Sequence, residues 1–201
     1  MAMTDKVIES PNQYFTTANI DTIDFAKYDK VELEIGCGRG DFLAAYSPLY
    51  PDTVFIGVER HLVSLRKAVK KVRSTEAHNN TILINADILY LFESQQFPPN
   101  TFDAIHLYFP DPWPKKKHQK RRLVTLPFLG TLKEIMKVDS FLHLRSDNEG
   151  IYSEICDRIG ESNLFSPIDV PLDLIDCKTS FEKRFLTQGK EIFRSSYRIR
   201  K

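Results

Sequence analysis

The sequence predicts an α/β protein built around a mostly parallel β-sheet, and two observations support this fold class. Short segments rich in β-branched and aromatic residues alternate along the chain with segments whose apolar residues recur at helical spacing. Such alternation is typical of crossover units, in which a helix connects two parallel strands. The composition is also that of an ordinary globular domain, because 42% of the 201 residues are hydrophobic and 27% are charged.

Each predicted strand is a short, mainly apolar or alternating segment, and six are expected, at residues 31–35, 53–58, 81–85, 102–108, 140–145 and 191–199. Predicted helices follow the first five strands, at residues 41–46, 62–75, 88–92, 121–136 and 149–161. Pro127 falls inside the fourth helix, where it should bend or break it. Residues 1–30 are expected to form a polar N-terminal arm, and residues 31–201 a single domain.

The composition argues against several classes of protein. Cys37, Cys156 and Cys177 are widely spaced and form no CxxC pair, so neither a disulfide framework nor a zinc site is expected, and a reducing cytoplasm is the expected location. No signal peptide is expected, and no segment approaches the roughly 18–20 apolar residues that a membrane span needs. The net charge is only +1, so any nucleic-acid binding must come from local clusters of charge.

A glycine-rich turn joins the first predicted strand to the first helix. Gly36, Gly38 and Gly40 allow a ligand to approach the backbone closely, but their spacing differs from the G-x-G-x-x-G of dinucleotide-binding proteins. Glu34 and Asp41 flank the turn and would repel the pyrophosphate of a dinucleotide. A cationic nucleoside without phosphate fits better, and S-adenosylmethionine is the common one, since its sulfonium and ammonium groups are positive.

Acidic residues fall at or just after the ends of five successive strands: Glu34, Glu59, Asp87, Asp111 and Asp147. In parallel sheets, ligands bind beyond the carboxyl ends of the strands, so these acids are expected to line one edge of the sheet. Glu59 is placed to accept hydrogen bonds from both ribose hydroxyls of a nucleoside, and Asp87 from an adenine amino group. Any one of these acids alone could equally be a solvated loop carboxylate.

The most distinctive segment, residues 108–122, combines alternating prolines with a dense block of positive charge. The prolines keep the residues before them out of helical space, so Asp111 and Trp113 are held in set directions. Six of the eight residues 115–122 are Lys or Arg, and none is acidic. This combination indicates a site for an anionic polymer that carries bases. The alternative is a stiff turn with a buried tryptophan and a solvated basic helix start.

These segments together resemble the motif series of the bacterial tRNA (guanine-N7)-methyltransferases. The resemblance runs from about residue 31 to about residue 199, and it rests on residues 34–40, 57–59, 85–87, 109–115, 146–147 and 179–184. The proline segment with its basic continuation, and the Thr-x-Phe-Glu-x-Arg segment, are much more specific than the glycine turn. The family implies a Rossmann-like class I S-adenosylmethionine-dependent methyltransferase fold, with a seven-stranded, mostly parallel sheet whose last strand is antiparallel.

The resemblance also implies the residues of the site. Cofactor contacts carry over to Glu34, Gly36, Gly38, Gly40, Glu59, Asp87 and Asp111. Substrate contacts carry over to Lys115, Asp147, Thr179, Ser180, Phe181 and Glu182. The RNA-contacting segment carries over to Lys117, His118, Gln119, Lys120, Arg121 and Arg122. Two positions depart from the usual pattern. Ser146 stands where threonine is frequent and keeps the hydroxyl, whereas Ser180 stands where lysine is common and removes a charge.

The implied reaction is transfer of a methyl group from S-adenosyl-L-methionine to N7 of a guanine in the variable loop of tRNA, expected to be guanine 46. Guanine N7 is already a nucleophile and sheds no proton, so the protein has only to position the reactants and stabilise charge. Asp111 is the expected catalytic carboxylate, and Asp147 and Glu182 are candidates for recognition of the base. The expected partner is tRNA, the expected oligomeric state is a monomer or a homodimer, and neither a metal nor a membrane is expected.

Two other functions are compatible with parts of the sequence. A methyltransferase that acts on a small molecule or a protein would not need the basic block, so tRNA binding separates it from the first interpretation. A non-catalytic RNA-binding subunit would have no affinity for S-adenosylmethionine, so cofactor binding tests it. The acids at the strand ends argue against this last alternative.

Overall fold

The computed structural model describes residue 20 and residues 23–111 and 122–200. The strands are β1 (Lys30–Ile35), β2 (Thr53–Val58), β3 (Thr81–Ile84), β4 (Phe102–Tyr108), β5 (Met136–Ser146), β6 (Phe165–Ile168) and β7 (Phe193–Ile199). The helices are α1 (Asp41–Tyr46), α2 (Leu62–Arg73), α3 (Ile88–Glu93), α4 (Leu126–Ile135), α5 (Glu149–Ser162), α6 (Leu172–Asp176) and α7 (Ser180–Thr187).

The strands form a seven-stranded mixed sheet in the order β3-β2-β1-β4-β5-β7-β6. β1 pairs in parallel with β2, β2 with β3, and β4 with β5, whereas β7 runs antiparallel to both β5 and β6. The predicted fold class, a mostly parallel sheet whose last strand is antiparallel, is confirmed. All six predicted strands are present, and β5 begins earlier than expected, at Met136.

Packing divides the chain into two compact units, Met1–Phe97 and Pro98–Lys201. In the first unit, β2 is buried along its whole length between β1 and β3. The buried stripe of α2 consists of Leu65, Ala68 and Val72. Because these residues recur at helical spacing, one side of α2 packs into the core and the other side faces solvent. The division between residues 1–30 and 31–201 stays a prediction, and residues 1–19 lie outside the described residues.

In the second unit, the start of α4 differs from the prediction. The helix begins at Leu126 and not at residue 121, because Thr125 caps it: the Thr125 hydroxyl accepts a hydrogen bond from the Phe128 amide at 3.3 Å. Pro127 therefore lies in the first turn, where its missing amide would have had no helical partner. The proline favours the start of this helix and does not bend it.

The sequence patterns do not predict three short elements of the second unit, β6, α6 and α7. β6 contains Pro167 and is an edge strand of the sheet. A proline is tolerated on an edge strand because a backbone amide on the outer side has no neighbouring strand to bond. α6 has only five residues, which is too few for a periodic pattern. α7 does carry a start signal, because Thr179 and Glu182 form a capping box, the Thr-x-x-Glu pattern of helix N-termini.

Candidate functional site

The glycine turn between β1 and α1 has a backbone conformation that favours glycine. Gly36, Gly38 and Gly40 have φ angles of 74°, 55° and 69°. Gly40 also lies against α2, because a Cβ atom built there would be 2.9 Å from the Cβ atom of Ala68. A side chain at Gly40 would therefore strain the backbone and push α2 away. At Gly36 a Cβ atom would meet no other atom within 4 Å, so open space adjoins this end of the turn.

Glu59, the first residue after β2, stabilises the glycine turn through its side-chain carboxylate. One of its carboxylate oxygens accepts a hydrogen bond from the Gly38 amide at 2.9 Å, and the other accepts one from the His61 amide at 2.7 Å. A carboxylate offers about four acceptor positions, so each oxygen keeps one for a ligand. The predicted ribose-binding residue thus lies at the turn, with its orientation set by two backbone hydrogen bonds.

Negative charge is concentrated around Cys37, in the middle of the turn. Glu34 is buried on β1. Burial raises the pKa of the Cys37 thiol well above its usual value, and the negative charges of Glu34 and Glu59 raise it further. The two carboxylates are therefore close enough to oppose a third negative charge at this point. The same field favours a positively charged ligand.

Asp41 does not add to this negative field as the sequence analysis expects. Its carboxylate accepts a hydrogen bond from the ammonium group of Lys71 at 2.5 Å, and the two side chains are partly buried. This ion pair joins α1 to α2 and offsets the charge that was expected to repel a pyrophosphate. Glu34 and Glu59 therefore supply the negative charge that would oppose the pyrophosphate of a dinucleotide.

Asp87 follows β3 and caps α3. One of its oxygens accepts a hydrogen bond from the Leu89 amide at 3.0 Å, and the other forms an ion pair with Arg60 at 3.9 Å. The Asp87 side chain is 48% exposed, so a ligand can still reach it. Asn85, two residues earlier, donates hydrogen bonds to the carbonyls of Glu59 at 2.8 Å and Arg60 at 3.2 Å. Asn85 thus holds the segment that carries Glu59. From the sequence, Asn85 is recognisable only as part of the motif at residues 85–87, which predicts no such role.

In the second unit, a constrained backbone leads from β4 to Asp111. Phe109 has a φ angle of 52°, a left-handed value that is rare for a bulky residue and costs about 1–3 kcal/mol. Its amide donates a hydrogen bond to the Arg145 carbonyl at 2.8 Å, and its ring lies 5.0 Å from the ring of Phe181. These contacts hold Phe109 in its strained conformation. Asp111, two residues later, has an exposed side chain.

A buried ion network joins β5 to α6, α7 and β7. Arg145 is only 1% exposed, and it donates hydrogen bonds to Glu182 at 2.7 Å and to the carbonyls of Cys177 at 3.1 Å and Leu174 at 2.5 Å. Arg194 donates to the other oxygen of Glu182 at 2.9 Å. Charge-assisted hydrogen bonds are strong, and removal of one partner would leave an uncompensated buried charge.

Glu182 is buried and bound within the protein, and its expected contact with the substrate stays a prediction. Its side chain has no exposed surface, and it accepts hydrogen bonds from Arg145, Arg194 and, at 3.1 Å, the Thr179 amide. Thr179 is buried as well, and its hydroxyl accepts a hydrogen bond from the Glu182 amide at 3.1 Å. These two motif residues position α7. Ser180 and Phe181, which are exposed, remain candidates for contact with the substrate.

Asp147, directly after β5, belongs to a cluster of charged and aromatic side chains. It accepts a hydrogen bond from the ammonium group of Lys190 at 2.8 Å, and that ammonium lies 4.2 Å from the centre of the Phe185 ring. The Phe185 ring in turn lies 4.3 Å from that of Phe181. Sequence reasoning misses Lys190 because it is 43 residues from Asp147 along the chain.

Arg122, the last residue of the predicted RNA-contacting segment, is engaged within the protein. It forms an ion pair with Glu154 on α5, and Arg158 donates a hydrogen bond to the same carboxylate at 2.8 Å. The expected contact of Arg122 with RNA stays a prediction, in which a phosphate would have to compete with Glu154. Arg122 and Asp111 line one pocket. The other candidates of this region lie outside the described residues: Trp113, Lys115, Lys117, His118, Gln119, Lys120 and Arg121.

The described residues contain neither a candidate metal site nor a candidate membrane span. No group of three or more His, Cys, Asp or Glu side chains among them could hold a metal ion. None of the helices in that part of the chain combines the length and the apolar character that crossing a membrane requires.

Several solved methyltransferase structures resemble this one. The 16S rRNA methyltransferase KamB has a TM-score of 0.60, with 13% sequence identity, over 88% of this chain and 90% of that chain. A SAM-dependent methyltransferase from Aquifex aeolicus has a TM-score of 0.58, with 14% identity, over 90% of this chain and 92% of that chain. At such low identity the likeness establishes the fold, which is the Rossmann-like fold of S-adenosylmethionine-dependent methyltransferases.

Similarity of sequence identifies the family. A family model described as a putative methyltransferase matches residues 29–195. The tRNA (guanine-N(7)-)-methyltransferase of Bacillus licheniformis is 32% identical over 195 residues, 94% of this chain and 88% of that protein. That of Bacillus subtilis is 33% identical over 178 residues, 85% and 81% of the two chains. The chain spans only 54% of the Thermotoga maritima protein of the same name, at 32% identity. The chain belongs to the tRNA (guanine-N7)-methyltransferase family.

Proposed function

We propose that this protein transfers the methyl group of S-adenosyl-L-methionine to N7 of a guanine in tRNA, with guanine 46 of the variable loop as the expected target. The observation that carries the proposal is the acid-lined glycine turn in a chain of this family. Glu34 and Glu59 produce a negative field at the turn, which suits a cationic nucleoside cofactor. Residues 31–201 are proposed to work as one catalytic domain.

The residues of the first unit fit this cofactor. Glu59 keeps one acceptor position on each oxygen and can receive two hydroxyl donors, as a ribose offers. Asp87 is exposed enough to accept a hydrogen bond from an adenine amino group. Glu34 adds negative charge near the turn, and the open space at Gly36 leaves room for a ligand. When bound, the cofactor supplies an electrophilic methyl group on a positively charged sulfur.

The acceptor base is assigned to residues of the second unit. Guanine N7 attacks through its own lone pair, so no general base is needed. Asp111, which is also assigned as a cofactor contact, would keep a negative charge near a base that becomes positive on methylation. Asp147 is assigned to accept hydrogen bonds from guanine N1–H and N2–H₂, a donor pair that adenine lacks. Phe181 and Ser180, exposed at the start of α7, complete the proposed substrate contacts.

Affinity for tRNA is assigned to the basic segment of residues 115–122. Its cations would bind phosphates without reading the sequence, and structured RNA is selected mainly by its shape. The target base must leave its stack before its N7 atom can be methylated in a protein site. The segment therefore supplies binding energy while Asp111 and Asp147 act on the base.

The test is incubation of the protein with methyl-labelled S-adenosylmethionine and unmodified tRNA, followed by chemical cleavage at 7-methylguanosine. Label at one guanine of the variable loop is the expected result. Label on a different base, or transfer only to small molecules or proteins, would contradict the proposal. A thermal-shift measurement separates the remaining alternative, because a non-catalytic RNA-binding subunit would show no stabilisation by the cofactor.

A further inference from the structure

The outward side of α2 carries a cluster of positive charge that is distinct from the basic segment at residues 115–122. The helix has the sequence LVSLRKAVKKVR, in which five of twelve residues are Lys or Arg and none is acidic. Its buried stripe faces the core of the first unit. After the first turn, every residue of the helix that is exposed is a cation: Arg66, Lys67, Lys70 and Arg73.

Three of these cations are not balanced by nearby acids. Lys71 pairs with Asp41, but no carboxylate of the described residues lies within 4.0 Å of Arg66, Lys67 or Lys70. Lys70 is three or four positions from the other two, so the like charges repel one another on the helix surface. Lys70 lies in the last turn of α2, where a cation interacts favourably with the helix dipole. Helix stability accounts for Lys70 but not for Arg66 and Lys67 beside it, whereas binding of an anion accounts for all three.

We propose that this surface, which we call the α2 basic face and define by Arg66, Lys67 and Lys70, binds phosphates of the tRNA. The proposal rests on the proposed function, which supplies a polyanion as substrate. The centres of protein–protein interfaces are depleted in charged residues and rich in aromatic side chains. The α2 basic face consists of charged residues and has no aromatic side chain, so RNA is favoured over an acidic protein as its partner. Phosphate contacts of this kind add affinity and orient the RNA without reading its sequence.

The test compares two triple variants that change the net charge equally. One replaces Arg66, Lys67 and Lys70 on α2 by Gln, and the other replaces Lys27, Lys30 and Lys133 by Gln, three exposed lysines on other elements. Affinity for unmodified tRNA is measured by fluorescence anisotropy from about 50 to 200 mM salt. We expect the α2 variant to bind at least about tenfold more weakly, with a log–log salt slope smaller by about two to three. The control variant should keep the wild-type slope.

Two further measurements exclude trivial explanations. The α2 variant should keep its Tm, because its replacements remove repulsion and break no ion pair among the described residues. It should also keep its affinity for S-adenosylmethionine. The charge-conserving variant Arg66→Lys should bind tRNA like the wild type. Wild-type affinity and slope in the α2 variant would overturn the inference, and so would equal weakening in both triple variants. If the proposed function itself were wrong, the wild-type protein would methylate no tRNA, which is distinguishable from a loss of tRNA affinity in the α2 variant.

Discussion

Glu59 in the first unit and Glu182 in the second are both buried glutamates of family motifs, but they use their carboxylates differently. Glu59 accepts two hydrogen bonds from backbone amides and keeps acceptor positions at the open glycine turn. Glu182 accepts hydrogen bonds from two arginines and one amide, and none of its surface is exposed. Both residues belong to a family motif, so the motif alone does not tell whether a carboxylate can bind a ligand. That depends on how deeply the carboxylate is buried and on how many of its acceptor positions are already used by the protein.

The two regions also differ in how their charges are balanced. Around the glycine turn, burial raises the pKa of the Cys37 thiol, and the charges of Glu34 and Glu59 raise it further, so negative charge is concentrated at this point. In the second unit, the charge of Glu182 is neutralised by Arg145 and Arg194 within the protein. The first region is suited to binding a cation, and the second to holding helices in place.

The largest expected effect is on the stability of the second unit. Arg145→Met leaves Glu182 with one arginine and should lower the free energy of unfolding by about 3–5 kcal/mol, measured by urea denaturation. The double variant Arg145→Met/Glu182→Leu removes both charges and should recover much of that loss. If the single variant costs less than about 1 kcal/mol, the ion network does not hold these helices.

The exposed acid of the same unit should behave in the opposite way. Asp111→Asn should lower kcat for methyl transfer to tRNA by at least about 100-fold, because the developing positive charge loses its counter-charge, while the Tm stays unchanged. Asp157→Asn, at an exposed position on α5, is the matched control and should leave kcat unchanged. Near-normal turnover of the Asp111 variant would remove this residue from the mechanism.

Buried histidines should make the second unit sensitive to acid. Burial, aided by the charge of Arg145, lowers the pKa of His106 to about 3, and burial lowers that of His143 well below its usual value. Below about pH 6.5 the unfolded chain binds more protons than the folded chain, so stability should fall with decreasing pH, by about 1.4 kcal/mol per pH unit for each histidine.

Urea unfolding at pH 7 and pH 5 measures this dependence. His143→Gln, which retains a group able to bond the Ser196 hydroxyl, should show a smaller loss between the two pH values. The same loss in the variant and the wild type would show that His143 titrates alike in the folded and unfolded chains.

The smallest expected effect tests the available glutamate of the first unit. Glu59→Gln keeps the shape of the side chain but loses the charge and one acceptor oxygen, so the Kd for S-adenosylmethionine should rise about tenfold, which corresponds to about 1.4 kcal/mol. Calorimetric titration measures the Kd, with Glu93→Gln, an exposed acid at the end of α3, as control. An unchanged Kd in the Glu59 variant would refute the assignment of this residue to ribose.

Much of the fold could be predicted because it is encoded locally. β2 and β4 have the predicted bounds, since each is a short apolar segment with clear ends. The prediction starts α4 at residue 121, whereas the helix begins at Leu126 after its cap, Thr125. The apolar periodicity of the segment obscures this local capping signal. β6 and α6 are too short to produce a pattern, and their place depends on β7 and on Arg145.

By itself, the sequence determined the alternation of strands and helices from β1 to α5, the glycine turn and the family, because these depend on the periodicity and spacing of neighbouring residues. Only the tertiary structure decided which charged residues are free for ligands. Asp41 pairs with Lys71, 30 residues away, and Glu182 with Arg145, 37 residues away. Such pairs form only when separate elements pack together, and the same packing removes water from the carboxylates, so no local pattern can reveal them.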